Sequence, residues 1–136
     1  MRKGQAALEY FVMISLALLI ATPLIMQSQG ALQDVQDRNR EARMQQALDA
    51  IEQGIKIAAS QGQPARLSFT VSIPRGVVQT NITDQYIHYR MQTTAGESSF
   101  FRTFDTPVNG SLPEQQGKYL LRVEAIGSYV NVSVSE

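Results

Sequence analysis

Few side chains in this sequence could take part in catalysis or bind a metal. The 136 residues include one histidine, no cysteine and no tryptophan, which excludes disulfides, thiol nucleophiles and cysteine-based zinc sites. His88 lies in a predicted strand between Ile87 and Tyr89, and no serine or aspartate spacing marks it as a general base. We therefore interpret His88 as a surface or cross-strand residue. The sequence predicts no enzyme activity, no metal and no cofactor.

Three asparagines stand in the Asn-x-Ser/Thr pattern that N-glycosylation requires. They are Asn81 in Asn-Ile-Thr, Asn109 in Asn-Gly-Ser and Asn131 in Asn-Val-Ser. We predict that at least one of the three is modified if this part of the chain lies outside the cytoplasm. Asn131 is expected to be the least accessible, because a site within a sheet is harder to reach than one in a loop.

Neither charge nor aromatic content indicates a binding surface. Twelve Lys and Arg residues balance twelve Asp and Glu residues, so there is no basic excess to attract nucleic acid. Alternation along the predicted strands places most aromatic residues in the core, and we predict ordinary packing for them. The set comprises Tyr86, Tyr89, Phe100, Phe101, Tyr119 and Tyr129.

The N-terminal segment determines where the chain lies. Arg2 and Lys3 precede a stretch of small residues, and 17 residues without a charge follow from Tyr10 to Met26. At about 1.5 Å per helical residue this run reaches roughly 25 Å, which is at the short edge of what spans a bilayer. The positive-inside rule then places the N-terminus in the cytoplasm and everything after Met26 outside.

The order of these features resembles a known signal. An ordinary secretory signal has its small-residue cleavage site after the apolar run, whereas here the small residues come first. The string KGQAALEYF followed by the apolar run resembles the class III signal peptide of archaeal type IV pilins, which a membrane prepilin peptidase cuts directly after the glycine. The resemblance covers roughly residues 2–26. It implies cleavage between Gly4 and Gln5, so that Glu9 becomes the fifth residue of the mature chain.

The spacing of Gln5 and Glu9 is typical of the archaeal branch, whereas bacterial type IV pilins usually begin with a methylated phenylalanine. An ionised carboxylate beside a membrane or filament-core helix costs several kcal/mol unless it is paired. Cleavage after Gly4 creates a charged α-amine on Gln5, which has an ordinary pKa of about 8. We therefore expect Glu9 to neutralise the Gln5 amine of a neighbouring subunit and to set the axial register. The alternative is a Glu9 that sits among lipid headgroups and does nothing specific.

The helical pattern continues beyond the apolar run. Residues 27–43 are mostly polar, as in a helix that bridges rather than packs. An apolar stripe then recurs at spacings of four and three residues and predicts a face that docks on an apolar surface; its members are Met44, Leu48, Ile51, Ile55 and Ala58. A Gly followed by a Pro in residues 61–64 marks the end. We predict one helix over residues 6–60, bent near Pro23.

From residue 65 onward the hydrophobic period falls to two, which predicts strands. They cover residues 66–73, 77–82, 85–93, 98–104, 119–126 and 129–135, with an irregular loop at 105–117 and a II′-compatible turn at Gly127-Ser128. The predicted fold is α+β, with one long N-terminal helix whose amphipathic second half covers a small antiparallel sheet of four to six strands. The predicted segments are a removed leader (1–4), an apolar helix (5–26), a polar to amphipathic helix (27–62) and a β head (63–136).

The resemblance implies a structural subunit of an archaeal type IV pilus-like surface filament that polymerises through its N-terminal helix, with surface adhesion as its role. It also implies several partners: further copies of the chain, a prepilin peptidase, an assembly ATPase with its membrane platform, and membrane lipid before assembly. One alternative is a minor pilin or pseudopilin of a secretion or uptake machine. Another is a monomeric membrane-anchored binding protein outside the cytoplasm, which would need neither a cleavage site before its helix nor Glu9.

Overall fold

The structure, a computed structural model, describes residues 2–135 and confirms the predicted α+β fold. The described residues form one α-helix followed by seven β-strands. The helix α1 spans Arg2–Gln61, and the strands are β1 (Arg66–Ile73), β2 (Val77–Ile82), β3 (Tyr86–Thr93), β4 (Gly96–Thr103), β5 (Val108–Gly110), β6 (Gly117–Ile126) and β7 (Tyr129–Ser135). The chain divides into two compact units, one up to Gln36 and one from Asp37 on.

The first unit is helical throughout its described residues. The helix begins at Arg2, four residues earlier than predicted, and Arg, Lys and Gln are good helix formers that can extend it in this direction. It runs through Pro23, whose missing N–H leaves one backbone carbonyl without its helical donor. The Thr22 hydroxyl donates to the Leu18 carbonyl at 2.7 Å, so the hydroxyl of this residue is satisfied within the helix. The bend near Pro23 stays a prediction.

In the second unit, the apolar stripe of α1 is buried as predicted. All five members of the stripe lie in the hydrophobic core. The helix ends at Gln61, where Gly62 takes a left-handed φ of 69° and donates its N–H to the Ala58 carbonyl at 3.0 Å. This is the glycine stop that the sequence indicated.

The strands form two sheets instead of the single antiparallel sheet that was predicted. Four strands lie in the order β1-β6-β7-β5 and three in the order β2-β3-β4. All pairs are antiparallel except β5 and β7, which are parallel. Strand β5 lies inside the segment predicted to be irregular, because three residues that follow a Pro and end in a Gly are too few to show alternation. The β6–β7 turn has φ of 59° at Gly127 and no positive φ at Ser128, as a II′ turn requires.

Both sheets contribute to the core of the second unit. The buried side chains come from strands of the four-stranded sheet and from β3 and β4 of the three-stranded sheet, and they include Val71, Leu121, Val123, Val132, Ile87, Tyr89, Met91 and Phe100. The helix packs closely on β1 at Gly54, where an added Cβ would overlap the ring of Phe69. The glycine that weakens the helix is therefore what lets the helix and β1 pack closely.

Candidate functional site

The predicted cleavage site is fully accessible on α1. Gly4 and Gln5 are both exposed helical residues, and a Cβ added at Gly4 would meet no atom within 4 Å. Nothing in the fold therefore requires a glycine at this position. A requirement for glycine at position 4 would therefore come from a protein that binds the Gly4–Gln5 bond.

Glu9 lies one turn beyond Gln5 on the same helix and is exposed. Within residues 2–135 no ion pair or side-chain hydrogen bond involves its carboxylate. Its expected partner is the amine of another copy, which a single chain does not contain. The pairing of Gln5 with Glu9 of a neighbour stays a prediction.

The apolar run forms a helix surface that no other part of residues 2–135 buries. Its most apolar 18-residue window has a mean hydropathy of 2.1 and none of it is buried. The exposed large side chains occur on all sides and are Tyr10, Phe11, Val12, Met13, Ile14, Leu16, Leu18, Leu19, Ile20, Leu24, Ile25 and Met26. A helix that is apolar all round needs lipid or other apolar helices as its surroundings. By length and composition this helix can cross a membrane.

Polar contacts fix α1 to the β3–β4 hairpin at the start of the second unit. Asp37 is only 8% exposed, and it accepts hydrogen bonds from the Thr94 N–H at 3.0 Å and from the Thr94 hydroxyl. Arg40 also pairs with this carboxylate. Sequence patterns had assigned Asp37 to a bridging helix, and the available signal was a series of acidic residues at helical spacing, namely Asp37, Glu41, Asp49 and Glu52.

Further acidic residues of the same series on α1 contact side chains of β4. Ser98 donates to Glu41 at 2.8 Å. Arg102 lies between two carboxylates, with its Nη2 2.9 Å from Asp49 and its Nε 3.2 Å from Glu52. These contacts join the helix to β4, which is an edge strand of its sheet.

The loop between β5 and β6 is held by buried and exposed hydrogen bonds. Tyr89 is buried and donates its hydroxyl to the Pro113 carbonyl at 3.1 Å. Burial raises the pKa of this hydroxyl well above its usual range, and the negative charge of Glu114 and the nearby Tyr119 raise it further. The hydroxyl therefore stays protonated and remains a donor. Glu114 in turn accepts from the Thr80 N–H at 3.1 Å and from its hydroxyl at 2.8 Å.

The three sequon asparagines lie on strands with different exposure. Asn81 on β2 and Asn109 on β5 are exposed, while Asn131 on β7 is half-buried. Asn109 and Asn131 are direct neighbours in the parallel β5–β7 pair. The Asn109 side-chain oxygen accepts from the Gly110 N–H at 2.8 Å. Whether any of the three carries a glycan stays a prediction.

The outer face of the three-stranded sheet carries an aromatic cluster around His88. The imidazole of His88 is parallel to the Phe101 ring at 4.2 Å between centroids, and Tyr86 meets Phe101 edge-on at 6.1 Å. Phe101 is 54% exposed, so this aromatic residue lies outside the predicted core packing, whereas Tyr89 and Phe100 lie inside it. His88 occupies the cross-strand position that its sequence context predicted.

A cleft of about 530 Å³ lies in the second unit between α1 and the segment after β4. Its charged lining includes Glu52, Lys56 and Asp105, but Lys56 pairs with Glu52 at 2.8 Å. Among the described residues no group of three histidines, cysteines or carboxylates could hold a metal ion.

Compared with protein-family models, with curated proteins and with solved structures, the chain gives no match.

Proposed function

We propose that this chain is a structural subunit of an archaeal type IV pilus-like surface filament and that it polymerises through residues 5–26 of α1. The observation that carries the proposal is the wholly uncovered apolar surface of this helix, preceded by a basic and small-residue junction. A cut after Gly4 keeps this surface in the mature chain. The helix then needs two successive apolar environments, which are lipid before assembly and identical helices after it.

Assembly transfers the same helix from lipid to a bundle of copies. Lipid tails and apolar side chains are similar surroundings, so the burial free energy changes little and packing and polar contacts between helices decide the equilibrium. The Gln5 amine and Glu9 carboxylate supply a polar contact that only the bundle offers. The second unit lies outside the cytoplasm in this proposal, where it forms the surface of the filament.

The uncovered apolar helix is also consistent with a simple membrane anchor. Two features favour assembly over anchoring: the small residues that precede the apolar run and the carboxylate at Glu9. A monomeric anchor needs neither feature. It holds the chain in the membrane without a cut before its helix, and it has no neighbouring subunit whose amine Glu9 could neutralise.

Processing at Gly4 tests the proposal directly. We expect the wild-type chain to have Gln5 as its mature N-terminus and the Gly4→Leu variant to keep its leader and form no filaments. Since a Cβ added at Gly4 would meet no atom within 4 Å, we expect the leucine to affect cleavage by the peptidase and not folding. Gly30→Leu is the matched control, because Gly30 is another exposed α1 glycine with open space around it, and its leader should be removed normally. A wild-type N-terminus at Met1 or beyond Pro23 on sequencing would contradict the proposal.

A further inference from the structure

We propose that Asn109 is a site of spontaneous deamidation, at which the backbone nitrogen of Gly110 attacks the Asn109 side chain and leaves aspartate or isoaspartate in β5. The reaction needs an asparagine side chain, the nitrogen of the next residue and water, and it needs no enzyme. It goes beyond the proposed function, because neither the membrane nor filament assembly takes part in it.

The nitrogen of Gly110 already contacts the side chain that it would attack. Its N–H donates to the Asn109 side-chain oxygen at 2.8 Å. This oxygen is bonded to the side-chain carbon Cγ, which is the atom attacked, so the two reacting groups lie against each other. Both residues are exposed, and hydroxide and water therefore reach them.

No neighbouring strand holds the N–H of Gly110. The Ser111 N–H donates to the Val132 carbonyl of β7, and the Val108 N–H donates to the Asp84 carbonyl outside this sheet, both at 3.0 Å. Successive N–H groups of a strand point to opposite sides, so the N–H of Gly110 points away from β7. Strand β5 ends its sheet on that side. The attack therefore breaks no hydrogen bond between β5 and β7.

The residue that follows each asparagine determines how easily its nitrogen can attack. Asn109 is followed by a glycine, which has no side chain to crowd the nitrogen. Asn81 is followed by Ile82, whose branched side chain crowds it. In other respects the two asparagines are alike, because both are exposed and lie on edge strands. Asn81 is therefore the matched control within the same chain.

The reaction proceeds through a cyclic imide. The Gly110 nitrogen gives its proton to hydroxide and forms a bond to Cγ of Asn109. The bond from Cγ to the side-chain nitrogen breaks, and this nitrogen takes up a proton and leaves as ammonia. Water then opens the succinimide ring at one of its two carbonyl carbons. Opening at Cγ gives aspartate, and opening at the backbone carbonyl carbon gives isoaspartate.

Isoaspartate would separate β5 from β7, because it lengthens the backbone of β5 by one atom. Asn109 pairs with Asn131 and Gly110 pairs with Val132. Gly110 lies so close to Val132 that an added Cβ would overlap the carbonyl oxygen. The extra atom displaces Gly110 from this position, and the Ser111 N–H then loses the Val132 carbonyl that it bonds.

The rate of deamidation in the folded chain is the first measurement. The full chain is produced in a host without N-glycosylation and kept in detergent at mildly alkaline pH, and its peptides are mapped by mass spectrometry over time. We expect Asn109 to react within about tenfold of its rate in a free peptide of residues 106–113, because an exposed edge opens at little cost. A reaction that required unfolding of the second unit would be slower by about a thousandfold or more.

The same time course contains the control. Asn81 should stay unmodified while Asn109 is converted, and Asn109→Gln should remove the conversion, because a glutamine at this position would have to form a larger ring. A folded-chain rate below the tenfold limit, or equal conversion of Asn81 and Asn109, would overturn the inference.

Hydrogen exchange tests the effect on β5. Chains that contain isoaspartate are identified with an isoaspartyl methyltransferase and separated by chromatography. We expect their Ser111 amide to exchange about tenfold or more faster than in the unmodified chain. The Asn109→Asp variant carries the same new charge on an ordinary backbone and should exchange like the unmodified chain. Equal exchange in the isoaspartate chain and the Asn109→Asp variant would contradict the displacement of β5.

Discussion

Glu9 is the single charged residue between Lys3 and the end of the apolar run. It is exposed on a helix surface that is otherwise suited to lipid or to other helices. A carboxylate kept in such surroundings is costly unless a cation meets it. Cleavage after Gly4 would create a positively charged α-amine on Gln5, one helical turn before Glu9, and the same amine on a neighbouring subunit could meet this carboxylate.

We expect Glu9→Gln to separate membrane insertion from filament growth. The variant keeps the size and polarity of the side chain but removes the charge, so insertion and cleavage after Gly4 should persist or improve slightly. Filament growth should fall, because the Gln5 amine of a neighbour enters the bundle without its counter-charge, at a cost of several kcal/mol per subunit. Counts of filaments per cell by electron microscopy measure this.

Asp34→Asn is the matched control for the Glu9 variant. Asp34 is another exposed carboxylate on α1, but it lies beyond the apolar run, and its loss should leave filament counts unchanged. Normal filament numbers in the Glu9→Gln variant would show that the pairing role is wrong.

The helix and the β3–β4 hairpin are joined at Asp37. Its carboxylate accepts two hydrogen bonds from Thr94 and pairs with Arg40. We expect Asp37→Ala to lower the free energy of unfolding of the second unit by about 1–3 kcal/mol, because the Thr94 N–H loses its acceptor in a mostly buried position. Asp34→Ala, at an exposed position in the first unit, should stay within about 0.5 kcal/mol. Urea unfolding followed by circular dichroism measures both, and equal stabilities would contradict the role of Asp37.

Gly110 fixes the parallel pairing of β5 with β7. It has a φ of 127°, and an added Cβ would overlap the carbonyl oxygen of Val132. Gly96 has a similar φ of 130° but open space around it. An alanine at either position therefore has a strained backbone, but only an alanine at Gly110 also overlaps another atom. We expect Gly110→Ala to cost more stability than Gly96→Ala by about 2 kcal/mol or more. Similar Tm values for the two variants would show that β5 moves away freely.

How far sequence patterns predict these elements depends on their length and period. The amphipathic stripe and the long strands have enough residues to show their periods, and β2 and β7 have the predicted bounds. Strand β5 was missed because a three-residue strand has no period. The division into two sheets was missed because alternation identifies a buried face but not the neighbour of each strand.

Side-chain contacts were predicted less well than elements, for a related reason. The role of Asp37 depends on Thr94, which is 57 residues away in sequence, and a polar helix face does not show what lies opposite it. Ordinary packing was predicted for most aromatic residues, and Phe101 is an exception because neighbours in a strand face opposite sides and Phe100 faces the core. His88 was placed correctly as a cross-strand residue, but its stacking partner follows only from the register.

The molecule combines one unit whose apolar surface is uncovered with one that has its own core. From Asp37 on, the stripe of α1 and both sheets bury one another. We expect a fragment starting near Ser28 to be soluble, folded and monomeric, because it lacks the apolar run. Circular dichroism and analytical ultracentrifugation check this, with the full chain in the same buffer without detergent as the comparison. Aggregation of the fragment, or a random-coil spectrum, would contradict a self-contained second unit.

The central claim is that this chain builds a surface filament through its N-terminal helix. Electron microscopy of filaments sheared from cells that produce the chain, with the subunit and its N-terminus identified by mass spectrometry, tests it most directly. We predict filaments whose main component is this chain beginning at Gln5, with residues 5–26 forming a helical bundle along the filament axis. Cells that process the chain and hold it in the membrane, but make no filament containing it under any growth condition, would contradict the claim and favour a membrane-anchored binding protein.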